Sequence, residues 1–146
     1  MHNNTTMQIF QHRFTLPAKS RGFHLITHDI ERNMPELKML QTGLCQIFIQ
    51  HTSASLTINE DADPTVRRDF ETYFNKSVPE SDPGYVHNSE GPDDMPAHLK
   101  ASILGCSVLI PVIGGSLALG QWQGIYLCEH RNHARPRTII CSAWGI

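Results

Sequence analysis

Apolar and polar positions alternate along much of this chain, and in two places the spacing lengthens to that of a helix. The segment "MQIFQHRFTL" alternates in part and predicts a strand. "GFHLITHDI" predicts another, after the turn signal Ser20-Arg21-Gly22. "MPELKML" predicts a short helix. The clearest strand region is "GLCQIFIQHTSASLTI": Cys45, Ile47, Ile49 and His51 share one face, and Leu44, Gln46, Phe48 and Gln50 share the other.

The first helical spacing lies in "DPTVRRDFETYFNK". Asp63 is a natural N-cap, Pro64 suits the first helical position, and Val66, Phe70, Tyr73 and Phe74 fall on one face. A long Pro-, Gly- and Asp-rich loop follows, "SVPESDPGYVHNSEGPDD", of a length that is often functional. "MPAHLKASILG" predicts a second helix closed by Gly105 and buried nearly all round. The tail alternates strand and turn through "CSVLIPVI", "SLALGQWQGIYLCEHR" and "RTIICSAWGI", with Trp122 expected in the core rather than stacked on a flat heterocycle. The expected fold is α+β: one domain over 1–146, a large mixed, mostly antiparallel sheet and two main helices. Residues 1–6 are expected to fray.

Composition narrows the function. Twelve basic and 14 acidic residues give a net charge of −2, which offers no reason to expect a nucleic-acid or anionic-membrane partner. No apolar run approaches the roughly 18 residues of a membrane helix, and the N-terminus does not read as a signal peptide. A cytoplasmic protein is expected. The four cysteines form no C-x-x-C pair and are expected as reduced, packed thiols.

Nine histidines are more informative, because four polar clusters each carry one at the end of a predicted element. In "EGPDDMPAHLK", Asp94 is expected to cap the helix, and Asp94, His98 and Ser102 fall on one stripe. Asp94 can then orient His98 as a base or metal ligand. Glu90, Asp93 and Asp94 together exceed what a cap needs and repel one another without a cation or proton. The blander reading is a capping Asp and a hydrogen-bonded His. His87, in "YVHNSE", is a second ligand candidate. "HTSASLTINED" offers His51, Thr52, Ser53 and Ser55, whose hydroxyls and neighbouring amides can cradle a phosphate, and then Glu60. "GQWQGIYLCEHR" ends on His130 and on Arg131, whose fork suits phosphate. Convergence of these groups would build a His/carboxylate site suited to Zn²⁺ or another divalent ion.

Three stretches in this order, "HTSASLTINEDADPTVRRD", "EGPDDMPAHLK" and "GQWQGIYLCEHR", resemble the YjbQ family, small proteins known as secondary thiamine-phosphate synthases. The resemblance runs from about "RGFHLIT" to the C-terminus; Gln121 departs from a Thr expected before "WQG". It implies an α+β homotrimer with a pocket lined by the motif histidines. The implied activity is a transfer joining a pyrimidine-methyl diphosphate to a thiazole phosphate. On the matching residues, the expected metal ligands are His87, His98 and His130, for a divalent ion such as Zn²⁺ or Mg²⁺. Asp94 is expected as ligand or orienter, His51 and Glu60 in acid/base or substrate-binding work, and Thr52, Ser53, Ser55 and Arg131 on phosphate. Two alternatives use the same residues: a metal-dependent hydrolase or lyase of another phosphorylated molecule, and a non-enzymatic module that binds one.

Overall fold

The computed structural model of the chain describes residues 6–146, so of the expected fraying over 1–6 all but Thr6 lies outside the described residues. The elements run β1 (Gln8–Leu16), β2 (Gly22–Leu25), α1 (Thr27–Asn33), a 3₁₀ turn (Pro35–Met39), β3 (Thr42–Ile49), β4 (Ala54–Glu60), α2 (Pro64–Ser77), α3 (Asp94–Leu104), β5 (Ser107–Ile113), β6 (Ser116–Leu117), β7 (Gln123–Glu129) and β8 (Arg137–Gly145). The fold is α+β. Among the described residues every strand pairing is antiparallel, with none of the parallel pairs that a mixed sheet would contain. The strands divide into a five-stranded sheet, β1-β8-β3-β5-β6, and a three-stranded sheet, β2-β7-β4.

Alternation explains the layers. Cys45, Ile47 and Ile49 of β3 face inward beside Ile139, Cys141 and Ala143 of β8 and Ile110 and Val112 of β5. Against them lie Ala54 and Leu56 of β4 and Ile125 and Leu127 of β7, so the inner faces of the two sheets share one core. The segment read as a single strand, "GFHLITHDI", turns at Ile26 into α1. Ile26, Ile30 and Met34, spaced for a helix rather than a strand, plug that core.

The outer face of the small sheet is covered. Phe23, Tyr126 and Cys128 pack under Phe70 and Phe74 of α2 and Leu104 of α3. Asp63 caps α2 by accepting from the Thr65 amide at 2.9 Å, as its sequence predicts. Tyr73, placed on the same face, is instead 63% exposed, because a helix lying over one edge of a narrow sheet buries a thinner stripe. Nor is α3 buried all round: Ile103 is 64% exposed, whereas Lys100 is buried and donates to Asn75 Oδ1 at 3.0 Å. Trp122 also departs from expectation, at 58% exposed in the turn before β7. Among the described residues nothing covers the outer face of the large sheet in this way, and Ile9, Phe48, Leu109 and Ile113 are exposed there. No helix among the described residues is long and apolar enough to cross a membrane.

Candidate active site

The loop before α3 and the helix itself bring together two histidines and one aspartate. Asp94 is the first residue of α3 and is 1% exposed; Asp93, not Asp94, occupies the cap position, and it makes no side-chain cap bond. His98 lies one turn on, on the same stripe. Its Nε2 is 3.2 Å from Asp94 Oδ2, and His87 Nε2 approaches the same oxygen at 2.8 Å. One ligand atom from each of the three residues lies within 4.8 Å of the others.

Hydrogen bonding fixes what His98 presents. Its Nδ1 is 2.9 Å from the Thr52 carbonyl oxygen, which can only accept, so Nδ1 carries a proton. In the neutral ring the lone pair then sits on Nε2 and points at a buried carboxylate oxygen. Two acceptors do not face each other without something positive between them, and a proton or a metal cation satisfies the arrangement. The donor set, two imidazoles and one carboxylate with room for a further ligand, fits a catalytic zinc site. It fits Mg²⁺ less well, since that ion takes oxygen ligands almost exclusively.

The other carboxylate oxygen is held elsewhere. Arg131 Nη1 donates to Asp94 Oδ1 at 2.6 Å, Nε to Asp93 Oδ2 at 2.9 Å, and Nη2 to the Glu90 carbonyl at 2.9 Å. The guanidinium expected to bind phosphate is thus engaged on three acceptors of the acidic loop. It answers the repulsion that three neighbouring carboxylates would otherwise suffer. Burial alone would raise the Asp93 pKa, but the Asn132 amide and Arg131 outweigh it and hold it below the usual carboxylate value.

Beside this cluster, "HTSAS" runs into β4. Ser53 Oγ accepts from Arg137 Nη2 at 3.0 Å, and Ser55 Oγ sits 2.8 Å from His130 Nε2. Ser55, fully buried on His130, is closed to a phosphate, whereas Ser53 lines the cleft beside Arg137 and its hydroxyl proton is not used in that contact. Arg137 is buried and bidentate on Glu129, with Nε to Oε1 at 2.7 Å and Nη2 to Oε2 at 2.5 Å. His51 Nε2 accepts from the Thr138 amide at 2.8 Å. Burial and the nearby Arg137 charge push the His51 pKa down. His51 lines two adjoining clefts, one with Thr52 and His98, the other with Ser53, Arg131, His133, Arg135 and Arg137.

Two expected site residues stand apart. His130 does not join His87 and His98. It follows β7 into the interior, 2% exposed, with its ring edge toward Phe23, and burial with the Lys100 and Arg137 charges pushes its pKa down to about 3. A histidine at a strand end is a ligand only if that end opens to a cleft, and β7 is the central strand of the small sheet. Glu60 lies at the far end of β4, six residues beyond Ala54 and roughly 20 Å away along an extended strand. The sequence reading missed Glu129 and Arg137. They are the two ends of the run "EHRNHARPR", whose last arginine starts β8, in the other sheet from β7.

Comparison with known proteins agrees with this architecture. The family model described as "UPF0047 protein YjbQ-like" matches residues 12–146. This chain belongs to the YjbQ family. It is 52% identical to the UPF0047 protein YjbQ of Salmonella typhimurium, over 93% of this chain and 98% of that protein. It is 48% identical to the YjbQ of Escherichia coli O157:H7, with the same coverage. A crystal structure of a protein of unknown function from Sulfolobus solfataricus superposes with a TM-score of 0.85 at 25% identity, covering 97% of this chain and all of the other. For this YjbQ-family chain, the histidine–aspartate cluster and its arginine-lined neighbour are the features from which function must be argued.

Proposed function

We propose that this YjbQ-family protein is a metal-dependent enzyme acting on a phosphorylated small molecule. The observation that carries this reading is the His98 tautomer, which aims an imidazole lone pair at a buried carboxylate oxygen shared with His87. His87, Asp94 and His98 would hold the ion, and Arg131 fixes Asp94 so that one oxygen stays turned toward it. A divalent ion bound there supplies positive charge to phosphate oxygens that gain negative charge during reaction. Arg135 and Arg137 line the cleft alongside, at the place where a phosphate would sit.

The reaction to test first is the transfer that the family resemblance implies. The pyrimidine-methyl carbon–oxygen bond breaks, a carbon–nitrogen bond to the thiazole forms, and inorganic diphosphate leaves. One observation favours hydrolysis of a phosphate ester as a second reading. His87 is half exposed, so water reaches the cluster in the isolated chain and would compete for any carbocation. Closure by a neighbouring subunit would remove that objection. The bare outer face of the large sheet, with Ile9, Phe48, Leu109 and Ile113 exposed, supports the expected homotrimer. The absence of any disulfide among the four cysteines fits the cytoplasm, with Cys106 exposed and the other three buried.

Metal content by mass spectrometry, on the wild type and on His98→Ala, tests the proposal. Near-stoichiometric metal in the wild type, lost in the folded variant, supports it. A wild type that stays metal-free after incubation with Zn²⁺ and Mg²⁺ sinks it. Turnover of the two thiamine precursors against a panel of phosphate esters then separates transferase from hydrolase.

A further inference from the structure

The second cleft contains an arrangement of donors that the protein itself does not answer. His51 Nε2 lies 2.8 Å from the Thr138 amide nitrogen. A backbone amide only donates, so Nε2 is bare and the proton of the neutral ring sits on Nδ1. Nδ1 in turn lies 3.3 Å from Arg137 Nη1. A guanidinium also only donates, so this contact is not a hydrogen bond. Two N–H donors stand side by side at the wall of a cleft of about 420 Å³.

The remainder of the Arg137 guanidinium is spoken for. Nε and Nη2 are taken by Glu129, and Nη2 also reaches Ser53. Nη1 is the one nitrogen left for a ligand. Charge points the same way. Glu129 balances Arg137; Asp93 and Asp94 outnumber Arg131 by one charge, and the surplus lies on the Asp94 oxygen turned to His87 and His98; Arg135 is exposed and has no ion pair among the described residues. The cleft lining itself holds three arginines and no carboxylate, with the unpaired Arg135 beside the two adjacent donors, and His133 also lines it. Two donors aimed at one point, with arginine charge around them, suit an oxygen of a phosphate group.

Building on the reading that the substrate is phosphorylated, we infer that His51 Nδ1–H and Arg137 Nη1 together bind one oxygen of its phosphate group. His51 is then a donor to the substrate and not its general base. Arg135 contributes charge from the rim. Because the same ring also lines the cleft containing His98, the phosphate sits next to the metal-ligand cluster. Arg131 joins the two, lining the phosphate cleft while holding Asp94.

The test uses the full chain, uniformly ¹⁵N-labelled, with metal removed by chelation and inorganic phosphate as the probe. Long-range ¹H–¹⁵N spectra should show His51, assigned through its backbone, in the Nδ1–H form, with its Nδ1 resonance moving as phosphate is added. His51→Gln retains an acceptor for the Thr138 amide but no donor at Nδ1, and its phosphate affinity should fall about tenfold. His51→Asn puts an amide NH₂ near the Nδ1 position and should keep most of that affinity. Arg135→Ala, an exposed change that should not disturb folding, should lose a few-fold. An Nε2–H or doubly protonated ring in the wild type overturns the inference, as does a Nδ1 resonance indifferent to phosphate or equally responsive to acetate. Since the protein is metal-free throughout, a failure of the metal reading leaves this result standing. Metal binding without a phosphate response defeats this inference alone.

Discussion

Two arginines meet buried carboxylates in this site, and they differ in what they leave free. Arg137 takes both oxygens of Glu129, which is 0% exposed. Arg131 takes only one oxygen of Asp94 and leaves the other to two imidazoles. In the first pair the carboxylate is spent on structure, and the arginine retains one nitrogen at the cleft. In the second the arginine is spent, on Asp93, Asp94 and the Glu90 carbonyl, and the carboxylate retains an oxygen. The chemistry available at a buried ion pair lies in the lone pairs and protons that the pair does not consume.

Removing Arg137 should have the largest effect. Arg137→Leu leaves Glu129 charged, buried and unpaired, at a cost of roughly 3–5 kcal/mol in unfolding free energy. Adding Glu129→Leu should recover much of that loss, because the penalty belongs to the orphaned charge and not to the missing attraction. Urea unfolding of both variants reads this directly. A single variant as stable as the wild type would mean that Glu129 is not held as a carboxylate by Arg137.

Asp94→Asn probes the other pair. Asparagine keeps the size and the acceptor for Arg131 but not the charge that faces the imidazoles. The expected result is a folded protein whose zinc affinity falls by more than about 100-fold, beyond the 10–100-fold typical of losing an outer-shell partner. Titration with a competing chelator measures it. Unchanged affinity would remove Asp94 from the ligand set.

A pH experiment separates the structural histidine from the cluster. Burial and nearby cations hold His130 neutral down to about pH 3, whereas in the unfolded chain it binds a proton near pH 6.5. Between those values the unfolded state carries the extra proton, so this contribution to stability is present above pH 6.5 and is lost as pH falls. The limiting slope is about 1.4 kcal/mol per pH unit, or roughly 2 kcal/mol between pH 6.5 and 5. His130→Gln cannot take up that proton and keeps a partner for Ser55, so stability of this variant should depend less steeply on pH over that range. Thermal melts at both pH values, on metal-free protein, decide the matter.

How far these features were legible in the sequence depended on whether they were local. Period and capping announced β3, α2 and the one-turn spacing of Asp94 and His98, because each is written within a dozen residues. The short strand β2 ran into α1 unnoticed, since four strand residues and seven helical ones give little periodicity to separate. His130 and Glu60 were misplaced for a different reason. Both stand beside polar motifs in sequence, but which end of a strand opens to a cleft depends on what packs around it. The Glu129–Arg137 pair joins β7 to the first residue of β8, in a different sheet. Nothing along the chain marks residues 129 and 137 as partners until that crossing is known.

The smallest effect tests whether Arg131 serves only as a counter-charge. Arg131→Lys retains the positive charge and much of the stem, but one ammonium cannot reproduce a planar fork spread over Asp93, Asp94 and Glu90. If charge alone matters, Asp94 stays neutralised and zinc affinity is unaltered. If the fork orients Asp94, its free oxygen loses alignment with His87 and His98, and affinity should fall by about tenfold, at the low end for an outer-shell partner. Stability should change by no more than about 1 kcal/mol, because the arginine is partly solvated and its ion pairs are screened. A tenfold loss of zinc with a nearly unchanged melting temperature would identify Arg131 as a positioning residue for the cluster. A large loss of stability with metal affinity intact would make it a second Arg137, and the distinction between the two arginines would fall.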